Sequence, residues 1–268
     1  MLKKLFLVAA LTLILMGCSG TSKKENLKPE TSVAPKSVAV LLADRGTLND
    51  VRGVSLFREN LVKESTKNSK AVKVQSGEKT VKLLDEKQGI TVAGQLAGVE
   101  KEDLRKDLEV EGLVYVQVKK LGTTLKPTME NFKPAGAMVK SLEADVRVYN
   151  QGKLYKNISI VEESETKISL EEMTNLKNTI TEVNSLVKNI NSTNIKKLGS
   201  MPEFVKLQNR LKTYNTIERN RELAVIFETL PTEQLFNVFS DLFVKAGLIK
   251  GHVYQDVIEN AAKKVQLS

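Results

Sequence analysis

The chain has very few of the side chains from which most metal and cofactor sites are built. Among its 268 residues are one cysteine, Cys18, one histidine, His252, and no tryptophan. A single histidine excludes metal centres with several histidine ligands, and no spacing of histidine, cysteine and carboxylate residues is typical of a zinc site. Aromatic residues make up only 5% of the chain, so platforms that stack sugars or single-stranded nucleic acid are poorly supported. We expect no metal, no cofactor and no nucleic-acid partner.

Motifs for phosphate binding and nucleophilic catalysis are also missing. Gly46 and Gly53 follow the first predicted strand, but their spacing matches neither the P-loop nor the dinucleotide-binding fingerprint. His252 and Asp256 are four residues apart on a predicted helix and could pair as a base and its orienting carboxylate. No serine in a nucleophile elbow accompanies them, and a surface histidine near a helix start is the simpler interpretation. We therefore expect no enzyme, and a hydrolase that uses His252 is the less favoured alternative.

One short stretch near the N-terminus carries a strong signal. Lys3 and Lys4 precede an almost unbroken apolar run, residues 5–16, which is too short for a membrane-spanning helix but typical of a signal peptide. The run leads into Leu-Met-Gly-Cys, which ends at Cys18. This spacing resembles the lipobox of bacterial lipoproteins, and the alternative is an ordinary secretory signal with an incidental cysteine. The resemblance implies removal of residues 1–17, a diacylglycerol on the Cys18 sulfur and a fatty acid such as palmitate on the new amino group.

The residues that follow the cysteine predict a tether. Residues 18–36 are rich in Ser, Lys, Glu, Thr and Pro and hold almost nothing apolar, so we expect them to be flexible. The later apolar patches are interrupted by polar residues, which predicts core helices and no second membrane span. We expect a lipid-anchored protein of the cell membrane. By resemblance to other lipoproteins, Ser19 favours the outer membrane, facing the periplasm, in a cell that has one.

The net charge of the chain is positive. The formal charge of +9 falls to +7 once Lys3 and Lys4 leave with the signal peptide. In an exported protein this charge favours anionic partners such as lipid head groups or cell-wall polymers. The lysines are interleaved with glutamates, however, so a solvated surface is the simpler interpretation.

Residues 37–165 predict an α/β domain. The first run, Ser37 to Leu42, is continuously apolar, as expected of a strand buried on both faces. Residues 122–140 contain two prolines and Gly136 with little periodicity, which predicts a loop. With helices between the strands, we expect a mixed sheet of about five strands with packed helices. The strands are predicted at residues 37–42, 71–74, 113–119, 142–149 and 154–161, the last two forming a hairpin.

Residues 169–249 predict a mostly helical region. Apolar residues step by three and four from Met173 to Ile190, as in a coiled-coil seam, and again from Phe204 to Tyr214. We expect these two helices to form a long hairpin that serves as an arm, an oligomer contact or, most simply, a cover for the chain's own core. Residues 233–246 predict a helix that is apolar almost all round and must be buried or meet a partner. Residues 250–268 predict a last amphipathic helix that packs on the sheet domain.

The order of these elements resembles a known lipoprotein family. The strand SVAVLL, the helix EKTVKLLDEKQGI, the run LEVEGLVYVQV and the hairpin ADVRVYNQGKLYKNISI all lie within residues 37–165. Together they are similar to the periplasmic α/β domain shared by the curli-secretion lipoprotein CsgG and the LpoB-type activators of peptidoglycan synthases. Two features depart from that pattern. Residues 122–140 carry charged side chains where the pore-forming members have small and aromatic ones, and the helical block is larger than the compact activators need.

These observations lead to one functional expectation and two alternatives. We expect a membrane-anchored envelope lipoprotein with a non-enzymatic binding or assembly role in secretion or cell-wall synthesis. Its partners would be the membrane, through the lipid, and an envelope protein, with peptidoglycan or its synthases among the candidates. The first alternative is an oligomeric structural or secretion-ring subunit that assembles through the helical region. The second is an envelope hydrolase that uses His252.

Overall fold

The fold is known here from a computed structural model. It describes residues 27–42, 48–68, 71–88, 101–130, 133–191 and 193–267. The predicted signal peptide and the predicted lipidation site, Cys18, lie outside the described residues. None of the helices within the described ranges is both long enough and apolar enough to cross a membrane.

A mixed sheet of five strands, in the order β2-β1-β3-β4-β5, forms the centre of the structure. The first strand pairs in parallel with its neighbours on both sides, and the remaining pairs are antiparallel. This confirms the predicted α/β class, with helices on the sheet and a helical C-terminal region. The strands are β1 (Ser37–Leu42), β2 (Lys73–Val74), β3 (Gly112–Glu130), β4 (Lys133–Asn150) and β5 (Lys153–Ile168).

Helices cover both faces of the sheet. Their bounds are α1 (Val51–Asn68), α2 (Gly77–Gln88), α3 (Lys101–Asp107), α4 (Leu170–Lys188), α5 (Pro202–Thr213), α6 (Thr216–Thr229), α7 (Glu233–Lys245) and α8 (Gln255–Lys263), with a 3-10 turn at Ile195–Ser200. Val38 and Val40 of β1 share a core with α1 and α8, while Ala39 and Leu41 share another with α2 and α3. Successive strand side chains point to opposite faces, so β1 is buried on both, as its apolar run predicted.

The predicted loop at residues 122–140 is wrong. Residues 122–130 and 133–140 extend β3 and β4 into one long antiparallel pair, in which Leu125 lies opposite Met138 and Pro127 opposite Gly136. The reason is tertiary packing, because Met138 is buried against Ile168 and the helices α4 and α6. Gly136 leaves room for this packing, since a Cβ at that position would meet the end of the Met173 side chain and lie 3.0 Å from Ile168 Cγ1. Packing of the outer half of the hairpin overrides the local turn propensity of its prolines and glycine.

The helical region has its own apolar core. Val183 of α4 lies in this core with Phe204 and Leu207 of α5, although α4 packs mainly along α6. The helices α6 and α7 complete the same core, so the apolar faces of α4 and α5 cover the chain's own interior. Phe239 and Phe243 of α7 are fully buried there. The helix that the sequence required to be buried or to meet a partner is therefore buried within the chain.

Part of the predicted tether lies against the sheet. The backbone N–H groups of Glu30 and Thr31 donate to the carbonyl of Leu154, over 2.7 and 3.2 Å. The Asn150 side-chain amide donates to the carbonyl of Val33 over 3.0 Å. Residues 30–36, which the sequence assigns to a flexible segment, are therefore held at the end of the sheet where β4 turns into β5.

Candidate functional site

The sole histidine lies beside the first turn of α1. Asp50 precedes this helix and caps it, because its Oδ1 accepts the backbone N–H of Gly53 over 2.8 Å. His252 Nε2 lies 3.1 Å from the same oxygen. Asp50 is only 4% exposed. The histidine thus joins a sheet-covering helix to the segment that leads into α8.

The hydrogen bonds of His252 define which nitrogen carries the proton in the neutral ring. Nδ1 accepts the backbone N–H of Tyr254 over 3.3 Å, so Nδ1 has no proton of its own. Nε2 then carries the proton and donates it to Asp50. Both ring nitrogens are therefore engaged within the chain, and one of these bonds must break before His252 can act as a base toward a substrate.

A second buried polar group lies next to this pair. Glu228 of α6 accepts the backbone N–H of Thr123 over 2.7 Å and the hydroxyl of Tyr254 over 3.4 Å, both at Oε2. Burial raises the pKa of the Glu228 carboxyl, although the two hydrogen bonds oppose that change. Burial, and then the nearby Glu228, raise the pKa of Tyr254 well above its ordinary value. Gly122 permits this contact, because a Cβ there would lie 2.4 Å from Glu228 Oε2.

A polar cleft of about 430 Å³ opens beside His252, and we call it the junction cleft. It lies between β4, the start of α6, the residues 247–253 and the start of α8. Lys140 Nζ donates to the carbonyl of Val253 over 2.9 Å and lies 3.4 Å from Asp256 Oδ1. Arg219 donates to the carbonyls of Leu211 and Tyr214, which end α5. Lys140 and Arg219 are thus both hydrogen-bonded within the chain. Neither side chain is free to act on a substrate in the junction cleft.

The structure does not bring together His252 and Asp256, the pair that the sequence offered only as the less favoured alternative. The helix α8 begins at Gln255, so His252 precedes it and the two side chains do not share a helical face. His252 bonds to Asp50, and Asp256 bonds to Lys140. Within the part of the chain that the structure describes, no three His, Cys, Asp or Glu side chains are arranged to hold a metal ion.

Sequence patterns predict some of the residues at this site and not others. Asp50 is recognisable as an N-cap candidate from its position before an amphipathic helix. Glu228 gives no signal, because its partners lie in β3 and beyond α7. The sequence pattern around Arg58 also indicates an unusual residue, which is not among the predicted site residues. It falls on the stripe of α1 formed by Val54, Phe57 and Leu61, where a charged residue is unexpected, and it is buried.

Comparison with known proteins shows little. No family model matches the chain, and no curated protein does. Two solved structures are similar to parts of it. Lipoprotein GNA1162 from Neisseria meningitidis is 16% identical, with a TM-score of 0.36, over 67% of this chain and 100% of the other. The hypothetical protein CT253 from Chlamydia trachomatis is 17% identical, with a TM-score of 0.26, over 52% and 76%. Because both TM-scores are below 0.5, neither bears on function, and the resemblance to CsgG and LpoB-type lipoproteins stays a prediction.

Proposed function

We propose that the chain is an envelope lipoprotein, anchored through Cys18, that binds another envelope component and has no catalysis of its own. The sequence signal at residues 15–18 supports the anchor. The observation that supports binding over hydrolysis is the engagement of both His252 nitrogens by Asp50 and Tyr254. The bound component would be a protein or the cell wall, in secretion or cell-wall synthesis.

The contacts of residues 30–36 limit how far the folded part extends from its anchor. Twelve peptide steps separate Cys18 from Glu30, whose N–H bonds to Leu154. A fully extended chain spans about 3.3 to 3.6 Å per residue, so the sheet lies within about 40 Å of the lipidated residue. This distance suits a protein that acts on components close to the membrane.

Burial of the helical core bears on the alternative of an oligomeric subunit. The apolar residues that the sequence offered as an assembly contact, including Val183, Phe239 and Phe243, lie inside the chain's own core. An assembly through those faces would require the helices to separate. This burial supports a binding protein over a ring whose contacts depend on these residues.

The anchor is tested by cell fractionation. The wild-type chain and a Cys18→Ala variant are expressed in a bacterial host, and membranes are washed with high salt, which screens lysine contacts with lipid head groups. We expect the wild type to stay in the washed membranes and the variant to leave them. Equal retention of both chains would contradict lipid anchoring through Cys18.

The binding role is tested by crosslinking in intact envelopes. We expect the anchored wild type to give a crosslinked product that the unanchored variant does not form. The His252→Ala variant should give the same product, because the proposed role does not use the imidazole. Loss of an envelope hydrolase activity in this variant, with its fold intact, would instead support the catalytic alternative.

A further inference from the structure

Arg58 is a buried cation for which the described part of the chain shows no hydrogen-bond or ion-pair partner. It lies on the inner stripe of α1 and is only 7% exposed. Its Nε atom is inaccessible and has no hydrogen-bond partner, and among the described residues no carboxylate lies within ion-pair distance of its guanidinium. Burial lowers the pKa of Arg58, against the opposing charge of Glu59. A buried charge left in this condition costs free energy, which an anion seated beside it would recover.

The Arg58 side chain faces a groove that also holds the start of α2. This α1–α2 groove has a volume of about 680 Å³ and lies beyond the carboxyl end of β2. Gly77, the first residue of α2, lines it, and a Cβ placed there would lie 3.9 Å from Arg58 Nη2. Ser76 caps the helix through the N–H of Lys79, over 3.3 Å. The first N–H groups of α2 have no acceptor within the helix, and they add a second attraction for an anion beside the guanidinium.

Three carboxylates line the groove, together with the apolar side chains of Val62 and Val81. Glu59 of α1 and Glu78 and Asp85 of α2 all contribute to its wall and are exposed. The other cation in the wall, Lys82, lies 3.8 Å from Glu86. A compact dianion such as phosphate would be repelled by this acidic wall. A single carboxylate can bond to the planar guanidinium with two parallel hydrogen bonds, and an adjacent ammonium group would be attracted to the acidic side chains.

We propose that the α1–α2 groove binds a small zwitterion, an amino acid or short peptide, with its carboxylate on Arg58 and the first turn of α2 and its ammonium group on the acidic wall. The site shares no lining residue with the junction cleft. Ligand binding in this groove does not depend on the proposed anchor, so the failure of one proposal would leave the other intact.

The site is tested by calorimetric titration of the full-length chain, purified in detergent, with dialanine as the zwitterionic probe. We expect saturable binding of dialanine and weaker binding of both N-acetyl-dialanine and dialanine amide, each of which lacks one charge. Arg58→Gln should weaken dialanine binding by about tenfold to a hundredfold, as expected for loss of a charge-assisted contact. Arg52→Gln is the matched control, because Arg52 is an exposed arginine on the same helix, paired with Asp241, and its loss should leave the affinity unchanged.

Two further measurements separate the parts of the proposal. Asp85→Asn should weaken dialanine binding but not the binding of N-acetyl-dialanine, which has no ammonium group. Arg58→Lys keeps the buried charge if Arg58→Gln fails to fold, and it should still weaken binding because lysine cannot form the paired hydrogen bonds. Three results would each overturn the proposal. They are no binding of dialanine by the wild type, binding of dialanine by the Arg58 variants as tight as by the wild type, and tighter binding of inorganic phosphate than of dialanine.

Discussion

At the scale of single residues, His252 joins two elements through one imidazole ring. Asp50 caps α1 and accepts from Nε2, while Nδ1 accepts the N–H of Tyr254 just before α8. We expect His252→Ala to lower the free energy of unfolding by about 1 to 3 kcal/mol, because it leaves buried polar groups without a partner. Urea unfolding measures this change.

Lys250→Ala is the matched control for His252→Ala. Lys250 is exposed and lines the same junction cleft. Its removal should change the free energy of unfolding by less than about 0.5 kcal/mol. If His252→Ala changes the free energy of unfolding as little as Lys250→Ala does, the imidazole does not stabilise the fold. The alternative of a hydrolase that uses His252 then gains support.

Glu228 makes stability depend on pH in a defined direction. Burial raises the pKa of this carboxyl above the ordinary value of 4.5, so the folded chain keeps the proton to higher pH than the unfolded chain does. The stabilising contribution is complete below the unfolded pKa and is lost as pH rises through the folded pKa. We expect Glu228→Gln, which cannot ionise, to remove this loss. The wild type should therefore lose stability relative to the variant as pH is raised from about 4 to 8 in a series of urea unfolding curves. If the difference in the free energy of unfolding between the wild type and the variant stays constant over this range, the pKa of Glu228 is not raised in the folded chain.

At the scale of elements, the sequence predicts most strands and helices because their apolar periodicity agrees with their burial. The run at Ser37–Leu42 is one example, since it is buried as its pattern predicts. The stepping that starts at Met173 agrees in part: Met173, Leu176 and Val183 are buried, but Thr179 and Leu186 are buried in place of Ile180 and Val187. The outer part of the β3–β4 hairpin could not be predicted, because Pro127 and Gly136 have turn propensity and their strand conformation depends on α4 and α6. The polar contacts of Glu228 could not be predicted for the same reason, since its partners lie far away in sequence.

The core of the helical region depends on its buried aromatic rings. Phe239 of α7 is fully buried, and its ring centre lies 5.2 Å from that of Phe204. We expect Phe239→Ala to lower the free energy of unfolding by about 3 to 5 kcal/mol, the usual cost of the cavity that such a change leaves. Val244→Ala on the same helix removes a side chain that is 52% exposed, and it should cost less than about 0.5 kcal/mol. Equal effects in urea unfolding would mean that α7 does not pack as described.

At the scale of the whole molecule, the parts are consistent with the proposed envelope role. The proposed lipid would hold a positively charged chain near a bilayer, and residues 30–36 attach one end of the sheet within about 40 Å of the anchor. The helical core is built within the chain, and the α1–α2 groove is available to a small ligand. The proposed binding role in the envelope depends on where the protein is held, whereas ligand binding in the α1–α2 groove does not.

Mass spectrometry of the intact chain, purified from the membranes of its own cells, tests this account most directly. We predict a polypeptide that begins at Cys18, lacks residues 1–17 and carries the added mass of a diacylglycerol together with an amide-linked fatty acid. A chain that still carries its leader, or one whose Cys18 is unmodified, would contradict the proposed anchor and the envelope role that depends on it.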